Sequence, residues 1–233
     1  MFIKLFCVIF LFITSTCVNA VIIDGNFSAR VYYDGSDEGI WSKNLRDSEV
    51  TGTFWYDTAL APAPDPRNPN YTSYLSDTNS WVNIIYFIDG KTIDISKSVG
   101  SKSESTESVN INADTDEFEV YDKITLGDPL GDYELTIGSL WAYKTADIIH
   151  DADIIQDNGL EQNFSWASDD SYIGTALFVR NGVKNGQAYV SELEMALTDI
   201  SVMPREVSVP EPSTFLLLVI GLGVLVFRRR AFA

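Results

Sequence analysis

The sequence predicts an all-β fold, either an antiparallel β-sandwich or a flattened barrel. Short segments rich in β-branched and aromatic residues recur along the chain, and residues 50–56 (VTGTFWY) are typical of them. Dipeptides that favour tight turns separate several of these segments. Nowhere in the central chain do apolar residues recur at i, i+3, i+4 and i+7, so helices should be few. Residues 21–204 are long enough to form one such domain with a sizeable core.

The turn signals set the expected hairpins. Asp89-Gly90 lies between two apolar runs, and both residues tolerate the positive φ angles of a tight hairpin turn. Asn181-Gly182 and Asn185-Gly186 are further turn signals, and the long segment that follows them is expected to be one strand with a bulge. The predicted strands, in chain order, are residues 27–33, 50–56, 81–88, 91–95, 109–111, 118–121, 133–137, 140–143, 174–180 and 187–203.

Three segments are expected to lie outside the regular strands. Residues 59–69 contain four prolines, which cannot donate to a sheet ladder, so an extended loop is predicted. Residues 96–108 are rich in Ser, Lys and Glu and predict a mobile loop. Residues 148–164 fit either a short helix or a loop.

The N-terminus is typical of a secretory signal peptide over residues 1–20. A positively charged start precedes an apolar run at 5–13, and Val18 and Ala20 occupy the small-residue positions of a cleavage site. A lipoprotein signal around Cys17 is disfavoured, because Thr14 and Thr16 stand where other residues are required. Since both cysteines precede the cleavage site, the mature chain is expected to have no disulfide and no cysteine nucleophile.

The C-terminus is typical of a membrane anchor with a sorting signal. Residues 215–227 carry no charge and are predicted to form a transmembrane helix, although thirteen residues span only about 20 Å. Residues 228–233 form a basic cytoplasmic tail, and its first three arginines, Arg228, Arg229 and Arg230, would stop transfer through the membrane. Residues 205–214 form a linker that Pro210 and Pro212 keep extended around Glu211.

In the C-terminal segment, Pro210-Glu211-Pro212 is followed by the apolar run and then by the triple arginine. This order resembles the PEP-CTERM sorting signal of exopolysaccharide-producing Gram-negative bacteria. The resemblance implies an exosortase partner, an inner-membrane anchor facing the periplasm, and later release or display at the cell surface or in the extracellular matrix. Residues 50–57 and 197–201 are also loosely similar to stretches of other PEP-CTERM ectodomains, but this similarity implies no specific function.

The charge of the predicted ectodomain is strongly acidic. Residues 21–209 contain 32 acidic and 12 basic residues, whereas the whole chain has a net charge of −17. Such a surface disfavours nucleic acid as a partner. It favours divalent cations, and the alternating oxygen donors of residues 110–117 leave a calcium site open, although an EF-hand is excluded because Thr115 stands where glycine is needed.

Catalytic groups are not evident. The single histidine, His150, lacks a recognisable partner, and Glu192 and Glu194 share one strand face, as exposed polar residues commonly do. We therefore predict a protein that is not an enzyme and that requires no cofactor. The alternatives are a secreted carbohydrate-active hydrolase and a calcium-stabilised binding module.

Aromatic side chains suggest a binding function, because more of them are present than strand alternation can bury together. Exposed aromatic rings can stack on sugar rings at little cost in side-chain entropy. Tyr71 and Tyr74, near the proline-rich loop, are the predicted glycan contacts. The resulting hypothesis is a structural, adhesive or glycan-binding role in an exopolysaccharide matrix.

Overall fold

The computed structural model describes residues 21–65, 72–77, 81–97, 102–127, 132–144, 155, 157–167 and 172–205. Within these ranges the chain forms eleven strands and one short 3₁₀ helix, Ile95–Lys97. The strands are β1 (Ile22–Asp34), β2 (Glu49–Asp57), β3 (Thr72–Ser76), β4 (Val82–Ile88), β5 (Lys91–Asp94), β6 (Lys102–Asn112), β7 (Glu117–Gly127), β8 (Tyr133–Lys144), β9 (Phe164–Ala167), β10 (Tyr172–Lys184) and β11 (Gln187–Pro204).

All eleven strands belong to one antiparallel sheet. The strand order is β3-β6-β7-β8-β10-β11-β1-β2-β4-β5, and β9 pairs with β11 beside this path. This confirms the predicted all-β antiparallel class. The sheet is curled into a half-barrel, so its two halves face each other across the core, as in a flattened barrel.

Contacts between aromatic rings show how the sheet curls. Phe54 on β2 lies 6.0 Å from Phe118 on β7, although four strands separate β2 from β7 along the sheet. Tyr86 on β4 lies 5.4 Å from Phe178 on β10, and its hydroxyl donates to the Leu177 carbonyl at 2.8 Å. Strand alternation turns these side chains to the concave inner face, where they form the core.

Two predicted hairpin turns are confirmed. Asp89 and Gly90 have φ angles of 50° and 72°, and Asn185 and Gly186 have 53° and 73°. The turn predicted at Asn181-Gly182 is wrong, because both residues continue β10 and pair with β8 and β11. Gly182 serves close strand packing instead: a Cβ atom there would collide with the Tyr133 carbonyl oxygen.

The loop predicted over residues 96–108 is also wrong in its second half, since β6 begins at Lys102. Alternate residues of β6 point inward, as in a regular strand. The first two of these, Ser105 and Glu107, are polar, and only the next two, Val109 and Ile111, are apolar, so the sequence lacks a clear strand pattern there. The two candidates at 133–137 and 140–143 form one strand, β8. Residues 148–154 lie outside the described residues.

The bulge predicted in the last strand is confirmed. Ser28 pairs with Asp199 and Ala29 with Leu197, so one residue of β11, Thr198, has no partner in the ladder with β1. Such an insertion bends the strand and increases its local twist, which suits a curled sheet.

A buried carboxylate joins distant parts of the curled sheet. Glu107 on β6 is only 1% exposed, and its Oε2 accepts hydrogen bonds from the backbone N–H groups of Trp81 at 2.7 Å and Val82 at 3.1 Å. These donors lie at the start of β4, which is far from β6 in the strand order. Because an unpaired backbone donor is costly to bury, this pairing favours the closed arrangement.

We expect Glu107→Ala to lower the free energy of unfolding by about 2–5 kcal/mol, since it leaves two buried N–H groups without this acceptor. Glu107→Gln should lower it less, because the amide oxygen still accepts. Urea denaturation of the full-length chain in detergent measures both effects. Glu104→Ala, at an exposed position of the same strand, is the matched control. An equally small change in the free energy of unfolding for Glu107→Ala and Glu104→Ala would contradict the role of Glu107 in holding β6 and β4 together.

Candidate ligand-binding sites

The inner face of the sheet changes character towards one end of the half-barrel. Along β10, inward positions run from the core residues Ala176 and Phe178 to Arg180 and then Lys184. Inward positions of neighbouring strands follow the same trend, and Tyr189 of β11 lies beyond Leu193. The concave face therefore becomes polar and cationic where the apolar core ends.

The polar inward residues Arg180, Lys184 and Tyr189 border a cavity of about 560 Å³, here named the mouth cavity. It lies between the β4–β5 hairpin, the ends of β8, β10 and β11, and the loop after β1. Its lining residues are Ile40, Trp41, Lys91, Thr92, Ile93, Glu134, Arg180, Lys184, Tyr189 and Ser191.

Trp41 forms one wall of the mouth cavity. Its indole packs on Phe178 with ring centroids 6.2 Å apart, and its Nε1–H donates to Ser36 Oγ at 2.8 Å. The Lys91 ammonium lies 5.1 Å from the centre of the indole ring and donates to the Ile40 carbonyl at 3.0 Å. A cation over an aromatic face is an attractive arrangement, so these contacts fix both side chains at the cavity wall.

Glu134 is the one carboxylate among the residues that line this cavity. Its Oε1 accepts from Arg180 Nη2 at 2.8 Å, and its Oε2 accepts from the Tyr189 hydroxyl at 2.7 Å. Burial, reinforced by Glu134, raises the pKa of the Tyr189 hydroxyl, which therefore remains a donor. Arg180 thus compensates Glu134, while Lys91 and Lys184 leave the cavity cationic.

A second cavity, of about 510 Å³, also borders Trp41 and is lined by acidic residues at the end of β1 and in the loop after it. Two of these acids hold the loop in place. Asp34 accepts from the backbone N–H groups of Ser36 and Leu45, and Asp37 accepts from that of Val190. These carboxylates account for the loop conformation, and the described residues contain no group of three or more His, Cys, Asp or Glu suited to a metal ion.

The outer face carries a different feature, a stacked aromatic pair on β8. Trp141 and Tyr143 lie 4.6 Å apart between ring centroids, with 30° between their planes, and Trp141 is 38% exposed. The Trp141 Nε1–H donates to Glu117 Oε1 at 2.9 Å, which orients the indole. Ile173 on β10 is paired with Tyr143 and is also exposed. We call Trp141, Tyr143 and Ile173 the aromatic platform.

The other aromatic residues divide between core and surface. Tyr32 and Tyr33 are about half exposed. The sequence did not distinguish Trp141 from the buried tryptophans, although residues 140–143 were predicted to form a strand. The buried aromatic residues in the described part of the chain are Phe27, Trp41, Phe54, Tyr56, Trp81, Tyr86, Phe118, Phe164, Trp166 and Phe178.

Of the two predicted glycan contacts, Tyr71 lies outside the described residues. Tyr74 lies on β3, half-buried against the core, and its hydroxyl donates to the Asn158 carbonyl at 3.4 Å. Desolvation, followed by the charge of Asp157, raises the pKa of the Tyr74 hydroxyl. The structure therefore places Tyr74 apart from the aromatic platform, and its glycan contact stays a prediction.

Residues 110–117, the open calcium site, span the end of β6, the turn at residues 113–116 and the first residue of β7. Asn112 Oδ1 accepts from the Asp114 N–H at 3.0 Å, and Asp116 accepts from the Ile155 N–H at 3.0 Å. Lys144 lies 3.5 Å from Asp116. These oxygens serve turn and ion-pair contacts, which is the arrangement of a structural turn.

The remaining catalytic candidates are Glu192, Glu194 and His150. Glu192 and Glu194 are half-buried on the outer face of β11, as their spacing predicts. The structure also places Glu194 beside the Tyr32 hydroxyl, whose pKa is raised chiefly by burial and then by this contact. His150 lies outside the described residues.

The sorting residues Pro210, Glu211 and Pro212 and the arginines Arg228, Arg229 and Arg230 also lie outside the described residues. No helix within the described part of the chain is both long enough and apolar enough to span a membrane. The sequence of the tail itself is decisive, because residues 208–230 match the family described as the PEP-CTERM protein-sorting motif.

The chain carries a PEP-CTERM sorting motif.

The motif confirms the resemblance of the tail and indicates an exported, membrane-anchored protein that an exosortase sorts. It covers only the C-terminal tenth of this PEP-CTERM protein and does not extend to the β-domain. No curated protein and no solved structure is significantly similar to the chain. The function of the β-domain must therefore be inferred from its own residues.

Glu119 lies beside the platform, paired across the strands with Trp141. Burial is the main cause that raises the pKa of its carboxyl, and the charge of Glu117 adds to it, while a hydrogen bond from Asn110 at 2.7 Å opposes it. A raised folded-state pKa means that this carboxyl favours folding at low pH. That contribution is lost as the pH rises through the folded-state pKa.

Glu119→Gln should therefore stabilise the PEP-CTERM protein at pH 7 and leave its stability unchanged below about pH 4, where the carboxyl is protonated in both states. Urea denaturation at a series of pH values between 3 and 8 measures the difference. Asp114→Asn is a control whose carboxylate lies in the β6–β7 turn. A stability loss at pH 7 would mean that the Asn110 contact outweighs the cost of burial.

Proposed function

We propose that this PEP-CTERM protein is a non-enzymatic glycan-binding protein of the cell surface or extracellular polysaccharide matrix. Its tail would anchor it in the inner membrane with the β-domain in the periplasm and the arginines on the cytoplasmic side. Exosortase would then process the tail near Pro210, Glu211 and Pro212 and permit display. The aromatic platform is the observation that supports glycan binding.

The platform has the properties that sugar recognition requires. Two nearly parallel rings offer a broad apolar area with few rotatable bonds, onto which the apolar face of a pyranose ring can pack. Because Glu117 already accepts from the Trp141 indole, the larger ring is oriented before a ligand arrives. Thr175, exposed and paired with Trp141, adds a hydroxyl at the rim for the polar edge of a sugar.

The arrangement of the acids at the platform supports the proposal of binding without cleavage. Glycoside hydrolysis needs two carboxyl groups on opposite sides of the scissile bond. The nearby acids, Glu117 and Glu119, lie on the same strand and the same face of the sheet, and they accept hydrogen bonds from Trp141 and Asn110. A sugar stacked on this face would meet both acids from one side, which favours adhesion over hydrolysis.

We expect Trp141→Ala to weaken binding to purified exopolysaccharides by about tenfold or more, since a central tryptophan of an interface commonly contributes about 2 kcal/mol or more. Trp141→Phe should restore part of the affinity. Binding is measured with the full-length chain in detergent by pull-down and on a glycan array. Phe87→Ala is the matched control, because Phe87 is 43% exposed on the distant strand β4.

An equal loss of polysaccharide affinity in Trp141→Ala and Phe87→Ala, or an affinity that Trp141→Ala does not change, would contradict glycan binding at the aromatic platform. Release of soluble sugars during the same incubation would favour the alternative, a secreted carbohydrate-active hydrolase.

A further inference from the structure

We propose that the mouth cavity is a second binding site, and that it takes a sugar carrying a carboxylate, such as a uronate unit of an acidic polysaccharide. This site lies on the concave face, whereas the aromatic platform lies on the outer face. The inference therefore goes beyond the proposed function and stands without it.

The first argument is charge. The chain as a whole has a net charge of −17, and its body between leader and tail contains only 12 lysines and arginines. Three of these, Lys91, Arg180 and Lys184, line one cavity. Cations concentrated in a concave site with low-dielectric walls raise the local potential for anions, even on an acidic protein. Screening by physiological salt shortens the reach of the distant acids to about 8 Å.

The second argument is that this charge is not used up within the cavity. Arg180 already serves Glu134, yet its buried Nε finds no hydrogen-bond partner among the described residues. The Lys184 side chain makes no hydrogen bond or ion pair with any residue that the structure describes. Among the described residues of the cavity lining, Lys91 donates to the neutral Ile40 carbonyl and faces the Trp41 ring. The acid near it, Asp89, lies outside the lining and accepts from Ser42. An incoming carboxylate would therefore compensate positive charge without displacing an existing acid.

The third argument identifies a sugar as the carrier of the carboxylate. A volume of about 560 Å³ lies within the range of small-molecule sites and exceeds what a bare carboxylate fills. Trp41, Ile40 and Ile93 supply apolar walls for one face of a ring. The Thr92 hydroxyl can meet the polar edge of the ring, and the Tyr189 oxygen can accept from it while its O–H donates to Glu134. Apolar walls with few convergent polar groups and an anion-binding end fit an acidic monosaccharide unit.

The test is calorimetric titration of the full-length chain in detergent with sodium glucuronate. Glucuronamide and glucose, which lack the charge, are the neutral comparisons, and sodium acetate carries the carboxylate without the ring. We expect glucuronate to bind at least about tenfold more tightly than each of these, as for an interaction of about 1.4 kcal/mol.

Lys184→Gln should reduce the glucuronate affinity about three- to tenfold and leave the fold intact, because this exposed side chain has no partner among the described residues to lose. Lys123→Gln removes one charge from the outer face of β7 and should have no effect. Trp141→Ala should also leave glucuronate binding unchanged, which separates the mouth cavity from the platform.

Equal binding of glucuronate and glucuronamide would overturn the role of the carboxylate, and acetate binding as tight as glucuronate would overturn the assignment to a sugar. An affinity that Lys184→Gln does not change would place the ligand outside the mouth cavity.

Discussion

The described structure depends on a buried carboxylate that connects strands lying far apart in the sheet. Glu107 is almost completely withdrawn from water, a costly position for an acidic group unless it is well hydrogen-bonded. It accepts from two successive backbone N–H groups at the start of β4, and so it ties the β6 side of the sheet to the β4 side. The ring contacts of Phe54 with Phe118 then complete the core between the two halves. Polar closure and apolar packing favour the same curvature.

This curvature gives the two faces of one sheet different properties. The inner face is apolar in the middle, and at the mouth Arg180 and Lys184 replace apolar side chains where the opposing halves leave a cavity. The outer face remains in water, so Trp141 and Tyr143 can stack there without entering the core. A displayed protein with both sites would offer a matrix polysaccharide one contact on each side of its sheet. The sorting tail indicates an exported, membrane-anchored protein, and the β-domain supplies the contacts that we propose.

Local features were predictable from the sequence, and long-range features were not. Asp89-Gly90 and Asn185-Gly186 were predictable because positive φ at both residues is a local requirement of the turn. The sorting motif was predictable because it is a short linear signal. The first part of strand β6 was missed because two of its inward residues, Ser105 and Glu107, are polar, and Glu107 serves a partner elsewhere in the fold. The mouth cavity was missed for a different reason. Its lining residues are far apart in the sequence, and those of the first loop and the last hairpin meet only after the sheet has curled.

The contact between the Phe54 and Phe118 rings tests the curled sheet most directly. A nuclear Overhauser experiment on the full-length chain, labelled selectively at phenylalanine, measures this proximity in solution. Our account predicts a cross-peak between the two rings, whose centroids lie 6.0 Å apart. Phe118 and Phe164, at 5.2 Å, provide a reference pair within the same spectrum. A spectrum with the reference cross-peak but no cross-peak between Phe54 and Phe118 would show an open sheet, and it would contradict both the core and the mouth cavity described above.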